Sequence, residues 1–376
     1  MISVVHLIKK MPEGYEEACY TEKAIQRKRG ITDPNDLMML SLFHLLNGCS
    51  LTEISLIAEL TKLGSLSDVA FMKRFQNCND WFLWILSNLV TNGAIPYQKP
   101  AWLEAYNVLG VDASDVKEKG RSGRIYRLHF ALDIFKMQSA QYKITTNKTG
   151  ETLCNFEVKP NDLLVADRGY VGIRGIEHCL NGGGNVILRL RKNSFSVYNS
   201  NGKKINLLDK LNGLEDEQTL DLDVHAKGSN GSKIPLRICA KRKTPEAVAR
   251  AKKKMRRDEQ RSQSKMAADT KVFNEYIVLA TSLPGGTSTA EQILELYRFR
   301  WQIEMYFKRL KSIMDFGELP KHNPKSVMAW LNGKLMIAIL IEKIVGETVF
   351  PPSGEYEEEL MEGDKIDIPA INHQLC

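Results

Sequence analysis

The sequence predicts a mixed α/β protein in which an all-α N-terminal region leads into an α/β core, and a β-rich segment carrying one basic helix interrupts that core. Three observations predict it. From about Asp36 to Asn92 the apolar residues keep helical spacing, with no strand-like alternation. Beyond Pro100, apolar runs of strand length stop on acids, at Asp112 and again at Asp167. Near the end, the stretch YRFRWQIEMYFKRLK has a helical apolar stripe bordered by a line of polar groups.

The helical region comes first. Asp33 and Pro34 supply a cap and a first turn for LMMLSLFHLL, Gly48 stops that helix, and Ser50 or Thr52 starts the next. The stretch SLTEISLIAELTKLGSLSDVAFMKRFQN then reads as a helix, a Leu-Gly-Ser turn and a second helix opened by Ser67 or Asp68. This is helix-turn-helix grammar, in which Lys73 and Arg74 would meet phosphates. It fits a helical hairpin of an all-α domain as well.

The core follows. The apolar run from Tyr106 to Val111 ends on Asp112, with Ala113, Ser114 and Asp115 next. RIYRLHFALDIF and the segment Ser139 to Thr145 form a meander hairpin, Glu151 to Phe156 a short helix, and DLLVA a strand ending before Asp167. A helix from about Gly172 to Leu180 and the strand NVILRL complete this part.

Between Arg191 and Tyr276 the texture changes to short strands (SFSVYN, QTLDLDVHA, KIPLRICAKRK) and a helix capped by Thr244 with Pro245 at its first position. On that helix Arg250, Lys253, Lys254, Arg257 and Arg261 recur every three or four residues, away from a small apolar stripe of Val248, Ala251 and Met255. A cationic stripe with an apolar anchor suits a nucleic-acid backbone, and also a solvated lysine-rich face. EYIVLATSLP returns to the core as a strand, and the acidic end GEYEEELMEGDKIDIPAINHQLC is weakly patterned.

Composition narrows the chemistry. A chain of 376 residues with 43% hydrophobic content supports a large soluble core and more than one domain. No apolar run is long enough for a membrane span, and MISVVHLIKK is too short for a secretory signal, so the expected location is the cytoplasm. The seven cysteines form no C-x-x-C pair and the seven histidines no zinc spacing, so any metal would be held by oxygen. A net charge of +7 suits a polyanionic partner.

On a single helix, Tyr297, Arg300, Glu304 and Lys311 fall within an arc of about 60°. They read either as an ion-paired edge, since Arg300 and Glu304 are four residues apart, or as a carboxylate for metal flanked by cations for phosphates. Trp301 lies beside the same edge, where a base could stack on it or core packing could hold it. Three acids thus stand out: Asp112, Asp167 and Glu304, with Asp115 a rival for the first. Converging carboxylates repel, and divalent cations relieve that repulsion.

Asp167-Arg168-Gly169-Tyr170, preceded by LLVA, and the pattern Y-x2-R-x3-E-x6-K at Tyr297, Arg300, Glu304 and Lys311 resemble the DDE transposases of bacterial insertion sequences, in the branch carrying the YREK signature. Asp112 with Ala113-Ser114, GETLCNF, TSLP and AWLNGKLM extend the similarity over roughly residues 35 to 345. The resemblance implies a ribonuclease-H-like mixed-sheet core at 101–190 and 276–346, a β-rich insertion domain at 191–275, and a helical N-terminal domain at 1–100 that binds element ends, with an acidic tail at 347–376. It implies two divalent ions, Mg²⁺ with Mn²⁺ as a substitute, on Asp112, Asp167 and Glu304. Tyr297, Arg300 and Lys311 would contact phosphates, and Arg168 and Tyr170 would orient the strand. Its partners would be terminal inverted repeats and target DNA, with a dimer as the active form. Relatives stack a flipped base on a Trp of the insertion; this insertion has none, leaving Phe195, Tyr198, Phe273 or Tyr276 for such a role. The alternatives are a non-catalytic DNA-binding derivative and a ribonuclease-H-like nuclease without strand transfer.

Overall fold

A computed structural model describes residues 4–27, 29–91, 99–118, 124–136, 138–146, 148–215, 218–301, 303–304, 308, 318–319 and 323–348. Five helices open the chain: α1 (Val4–Ile8), α2 (Tyr15–Thr21), α3 (Pro34–Leu46), α4 (Leu51–Leu60) and α5 (Asp68–Thr91). Their starts follow the caps in the sequence. The Asp33 carboxylate accepts from the Asn35 N–H ahead of α3, and Ser50 and Glu53 complete a reciprocal capping box on α4. The Ser67 hydroxyl accepts from the Ala70 N–H at the start of α5.

Strands β1 (Asn107–Glu118), β2 (Arg124–Asp133) and β3 (Gln138–Thr146) form an antiparallel meander. After it, β4 (Asp162–Ala166), α6 (Ile173–Asn181) and β5 (Asn185–Arg189) make a parallel β-α-β unit against the other side of β1. β4 is buried along its whole length, as a parallel strand covered on both faces must be. Leu164 and Ala166 enter the core under α6, whereas Leu163 and Val165 enter the core under α10 (Ala290–Arg298).

Residues 191–275 extend this same sheet. β9 (Lys233–Arg242) pairs with β10 (Tyr276–Thr281), and β8 (Thr219–Lys227), β6 (Val197–Tyr198) and β7 (Lys204–Ile205) continue outward. The segment also holds α7 (Leu207–Leu211), α8 (Pro245–Ser262) and α9 (Ala268–Phe273). The Thr244 hydroxyl caps α8, and Ala251 and Met255 are its buried anchors. A short strand β11 (Glu318–Leu319) adds to β1 in parallel.

The last described helix, α11 (Pro324–Thr348), packs against α5, so it shares one helical layer with the N-terminal helices. Gly333 permits the close approach: a Cβ there would lie 2.6 Å from Leu45 Cδ1. Gln76 donates to Ser326 Oγ and Asn332 to Asn79 Oδ1, which fixes the register of this contact. The same core reaches Leu128 and Phe130 of β2, seating the helical layer on the sheet.

The expected single helix through Tyr297, Arg300, Glu304 and Lys311 is corrected. α10 ends at Arg298, Phe299 and Arg300 form a turn, and helical backbone resumes at Trp301. At the break the bonds tighten to three-residue spacing, with Phe299 N–H to Leu296 O, Arg300 N–H to Tyr297 O and Ile303 N–H to Arg300 O. Lys311 and the acidic tail from residue 349 onward lie outside the described residues.

Candidate active site

The register of three parallel strands builds the floor of the site. Val111 pairs with Ala166, and Ala166 with Leu188, so the next residue on each strand puts Asp112, Asp167 and Arg189 in one row. Asp112 does not end its strand, as the sequence suggested; β1 continues to Glu118 along β2, and Asp112 marks the end of pairing with β4 only. Alternation puts Val108, Gly110 and Asp112 on one face, with Leu163, Val165 and Asp167 beside them. That is the face covered by α10. Asp115 falls on the opposite face, where its carboxylate takes Arg127 Nε at 2.9 Å. The pleat thus puts the two rivals on opposite faces, with Asp112 and not Asp115 on the face that carries Asp167.

Above the floor, the Tyr297 hydroxyl donates to Asp167 Oδ1 at 3.0 Å. Tyr297 is 5% exposed, so its phenol is committed to the aspartate and not presented to a ligand. Arg300, 8% exposed, lies with its guanidinium carbon 5.7 Å from the Tyr297 ring centre and gives Nη2 to Glu304 Oε1 at 2.5 Å. Its Nε is enclosed without a partner. Gly110 leaves room chiefly for Ile134, whose Cδ1 and Cγ1 a Cβ there would meet at 3.2 Å; Ile303, at an ordinary contact distance of 3.9 Å from that point, is fully buried. Burying such a side chain is worth about 1.5–3 kcal/mol, and it anchors the segment that presents Glu304.

The electrostatics divide the two aspartates. Burial pushes the Asp112 carboxyl up to about 6; the Ala113 N–H and Arg300 oppose that rise, and Glu304 and Asp167 add to it. Burial acts on Asp167 in the same direction, but Arg300, Arg189, the Arg168 N–H and the Tyr297 hydroxyl together hold it below the usual carboxylate range. Arg300 is raised above an ordinary arginine because Tyr297, Glu304 and Asp167 outweigh its burial. Arg189 is the residue that sequence reading missed. Its signal was positional, the last residue of the strand NVILR beside DLLVA-Asp167, and it becomes visible only once the strands are placed in parallel.

The donor set is all oxygen, which fits a hard divalent cation. Among the described residues no three acids lie close enough together to hold one, because Glu304 is drawn to Arg300. The two aspartates stand in the strand row, and the Glu304 carboxylate is paired with the Arg300 guanidinium.

The remaining candidates separate by exposure. Arg250, Lys253, Lys254, Arg257 and Arg261 are all exposed along one side of α8, and Lys73 is exposed on α5. Arg74 is corrected: its guanidinium donates to the carbonyls of Arg27, Arg29 and Ile31, which makes it a clasp for the loop before α3. Tyr170 is corrected as well, being 3% exposed with its hydroxyl enclosed, and burial with nearby Asp112 and Glu151 raises its pKa. Arg168 is half-buried, and Trp301 is half-buried at the resumed helix. Of the aromatics weighed for base stacking, Phe273 and Tyr276 are buried, whereas Phe195 and Tyr198 are partly exposed.

Comparison with known proteins adds to this geometry. The family model described as "Transposase DDE domain" matches residues 105–340, from the start of β1 into α11. A putative transposase of insertion sequence element IS186A from Escherichia coli K12 is 28% identical over 356 residues, covering 93% of this chain and 95% of its own. The transposase of IS421 from Escherichia coli is 28% identical over 357 residues with the same coverage. The transposase of IS231F from Bacillus thuringiensis is 28% identical over 232 residues, 57% of this chain and 48% of its own.

Proposed function

From the premise that this chain belongs to the transposase DDE-domain family, we propose how its residues divide the work of cutting and joining DNA. The chain is a transposase, an enzyme that cleaves DNA and transfers the cut strand, and its family uses divalent metal. Among the described residues no helix is long and apolar enough to cross a membrane.

In this reading Asp112, Asp167 and Glu304 hold two divalent ions, Mg²⁺ or Mn²⁺ in its place, at the ends of the chain's own mobile element. When bound, the ions activate the attacking water or 3′-hydroxyl and stabilise the leaving oxygen. Tyr297 fixes one Asp167 oxygen, and the Arg168 N–H also bonds to that carboxylate. Arg300 is the counter-charge for Asp167 and Glu304 while DNA is absent. A phosphate at the cut site offers it a better-matched bidentate acceptor, and Glu304 is then released toward the aspartates. Lys311 follows as a further phosphate contact. The exposed stripe on α8 and Lys73 track the backbone away from the cut, and pairing of two element ends makes a dimer the working form. The observation that carries this reading is the row of Asp112 and Asp167 where β1 and β4 cease to pair, under Tyr297 and Arg300.

The test exchanges the metal preference. Asp167→Cys places a soft ligand where a hard one stood, so cleavage of an end-bearing duplex should be lost in Mg²⁺ and partly restored in Mn²⁺, with end binding unchanged. Full activity of this variant in Mg²⁺ would remove Asp167 from the metal site.

A further inference from the structure

Asn274 lies at the junction of α9 and β10, about 107 residues from the aspartate it bears on, and no motif marks it. Its backbone is held: the Asn274 N–H closes α9 on Thr270 O, and the Glu275 N–H bonds to Val272 O. Its neighbour Glu275 takes Lys252 Nζ at 2.8 Å and Arg242 Nη2 at 3.5 Å, and the Glu275 carbonyl accepts from the Lys243 N–H. A side chain leaving this point starts from a fixed place.

The amide then points two ways. Oδ1 accepts from Arg168 Nη1 at 3.2 Å, while Nδ2 faces Met255 Sδ at 3.5 Å and Met266 Sδ at 3.7 Å. Thioethers are weak acceptors, so they direct the NH2 group without competing for the carbonyl. The reverse orientation would set an NH2 against a guanidinium, donor to donor. Met255 is also a buried anchor of α8, the helix with the exposed cationic stripe.

Arg168 needs such a hold. It directly follows Asp167, its Nε is enclosed without a partner, and burial with Arg189 beside it pushes its pKa down to about 10. A guanidinium repelled by a neighbouring arginine swings toward solvent unless an acceptor fixes it. Asn274 supplies that acceptor.

We propose that Asn274 is a positioning residue for DNA cleavage: its amide holds the Arg168 guanidinium beside Asp167 and ties that grip to the seat of the basic helix α8. A phosphate entering over Asp167 then meets a preplaced cation, and the register of α8 on the DNA backbone is passed to the cut site through one side chain. The inference rests on the reading of Asp167 as an active-site acid.

Single-turnover cleavage of an end-bearing duplex by the full chain, in Mg²⁺ or Mn²⁺, tests it. Asn274→Ala should slow cleavage about tenfold at saturating DNA, with end affinity and its salt dependence within about twofold of the parent. Asn274→Asp keeps an acceptor for the guanidinium and should recover the rate to within about threefold. In an Arg168→Ala background, Asn274→Ala should cause no further loss, because the two residues act as one unit. The proposal is overturned if Asn274→Ala cleaves like the parent, if the two losses multiply, or if the thermal midpoint falls in step with the rate and Asp does not rescue it. A parent chain that binds end DNA but cleaves in neither metal would instead remove the reading of Asp167 beneath it.

Discussion

Two regions deliver the acids by different means. Asp112 and Asp167 stand on paired strands inside a continuous sheet, where ladder hydrogen bonds and two buried faces set their positions. Glu304 stands on a helical segment that restarts after the turn at Phe299 and Arg300, and an arginine of that turn holds its carboxylate. The difference teaches that the sheet half is assembled on folding, whereas the helix half is set to rearrange when a competing anion claims Arg300. Tyr297 joins the halves, since it lies on α10 and bonds to Asp167.

The largest expected effect breaks the sheet half. Asp112→Asn keeps shape and burial but removes the charge, and cleavage should fall by about 10³ or more while end binding stays within about threefold. Glu304→Gln should cost as much in cleavage. Only Asp112→Asn, however, relieves a buried carboxyl that burial has pushed up, and so should leave the folded chain as stable or more so in thermal unfolding. Equal destabilisation by both variants would argue against the contrast.

A smaller effect probes the hinge between the halves. Arg300→Ala strips the counter-charge from Asp167 and from a Glu304 side chain that is 43% exposed, so the loss should be about 1–2 kcal/mol, below that of a fully buried pair. Cleavage should fall further than stability accounts for, because the phosphate contact goes with it. A rate loss matched by the thermal shift would reduce Arg300 to a structural ion pair.

The smallest effect on cleavage is expected in the sheet half away from the acids, where the readout is stability. His129 on β2 is fully buried between Thr145 Oγ1 and Asn155 Nδ2, and burial with Arg127 and Lys143 pushes its pKa down to about 4. The unfolded chain binds the proton from about pH 6.5 and the folded chain only near pH 4, so stability should fall as pH drops through that window and level off below it. The total should be about 3 kcal/mol. Denaturant titrations should show His129→Gln flattening this limb; an unchanged limb would assign it to other groups.

Much of the site was legible before any fold was drawn. The acids announced themselves as charges at the ends of apolar runs, and the cap residues Asp33, Ser50 and Thr244 begin the helices they were expected to begin. These signals are local: a strand or a cap is decided by neighbours a few residues away. The helix break at Phe299 and Arg300 was not legible, because no Gly or Pro marks it and the apolar stripe runs through it unbroken. Packing interrupts it, with Tyr297 drawn down to Asp167 and Ile303 buried beside Gly110.

The sequence by itself determined the element types and the basic stripe of α8 and put forward the acids as candidates, since each of these depends on residue type and short spacing. Tertiary structure alone decided the rest. Parallel register put Asp112, Asp167 and Arg189 in one row, and the pleat turned Asp115 away. Burial took Tyr297 and Tyr170 out of reach of a ligand, three backbone carbonyls engaged Arg74, and the fold brought Asn274 to Arg168. Those outcomes depend on which surfaces meet across the core, and that is set by the free energy of the whole chain and not by any one segment of it.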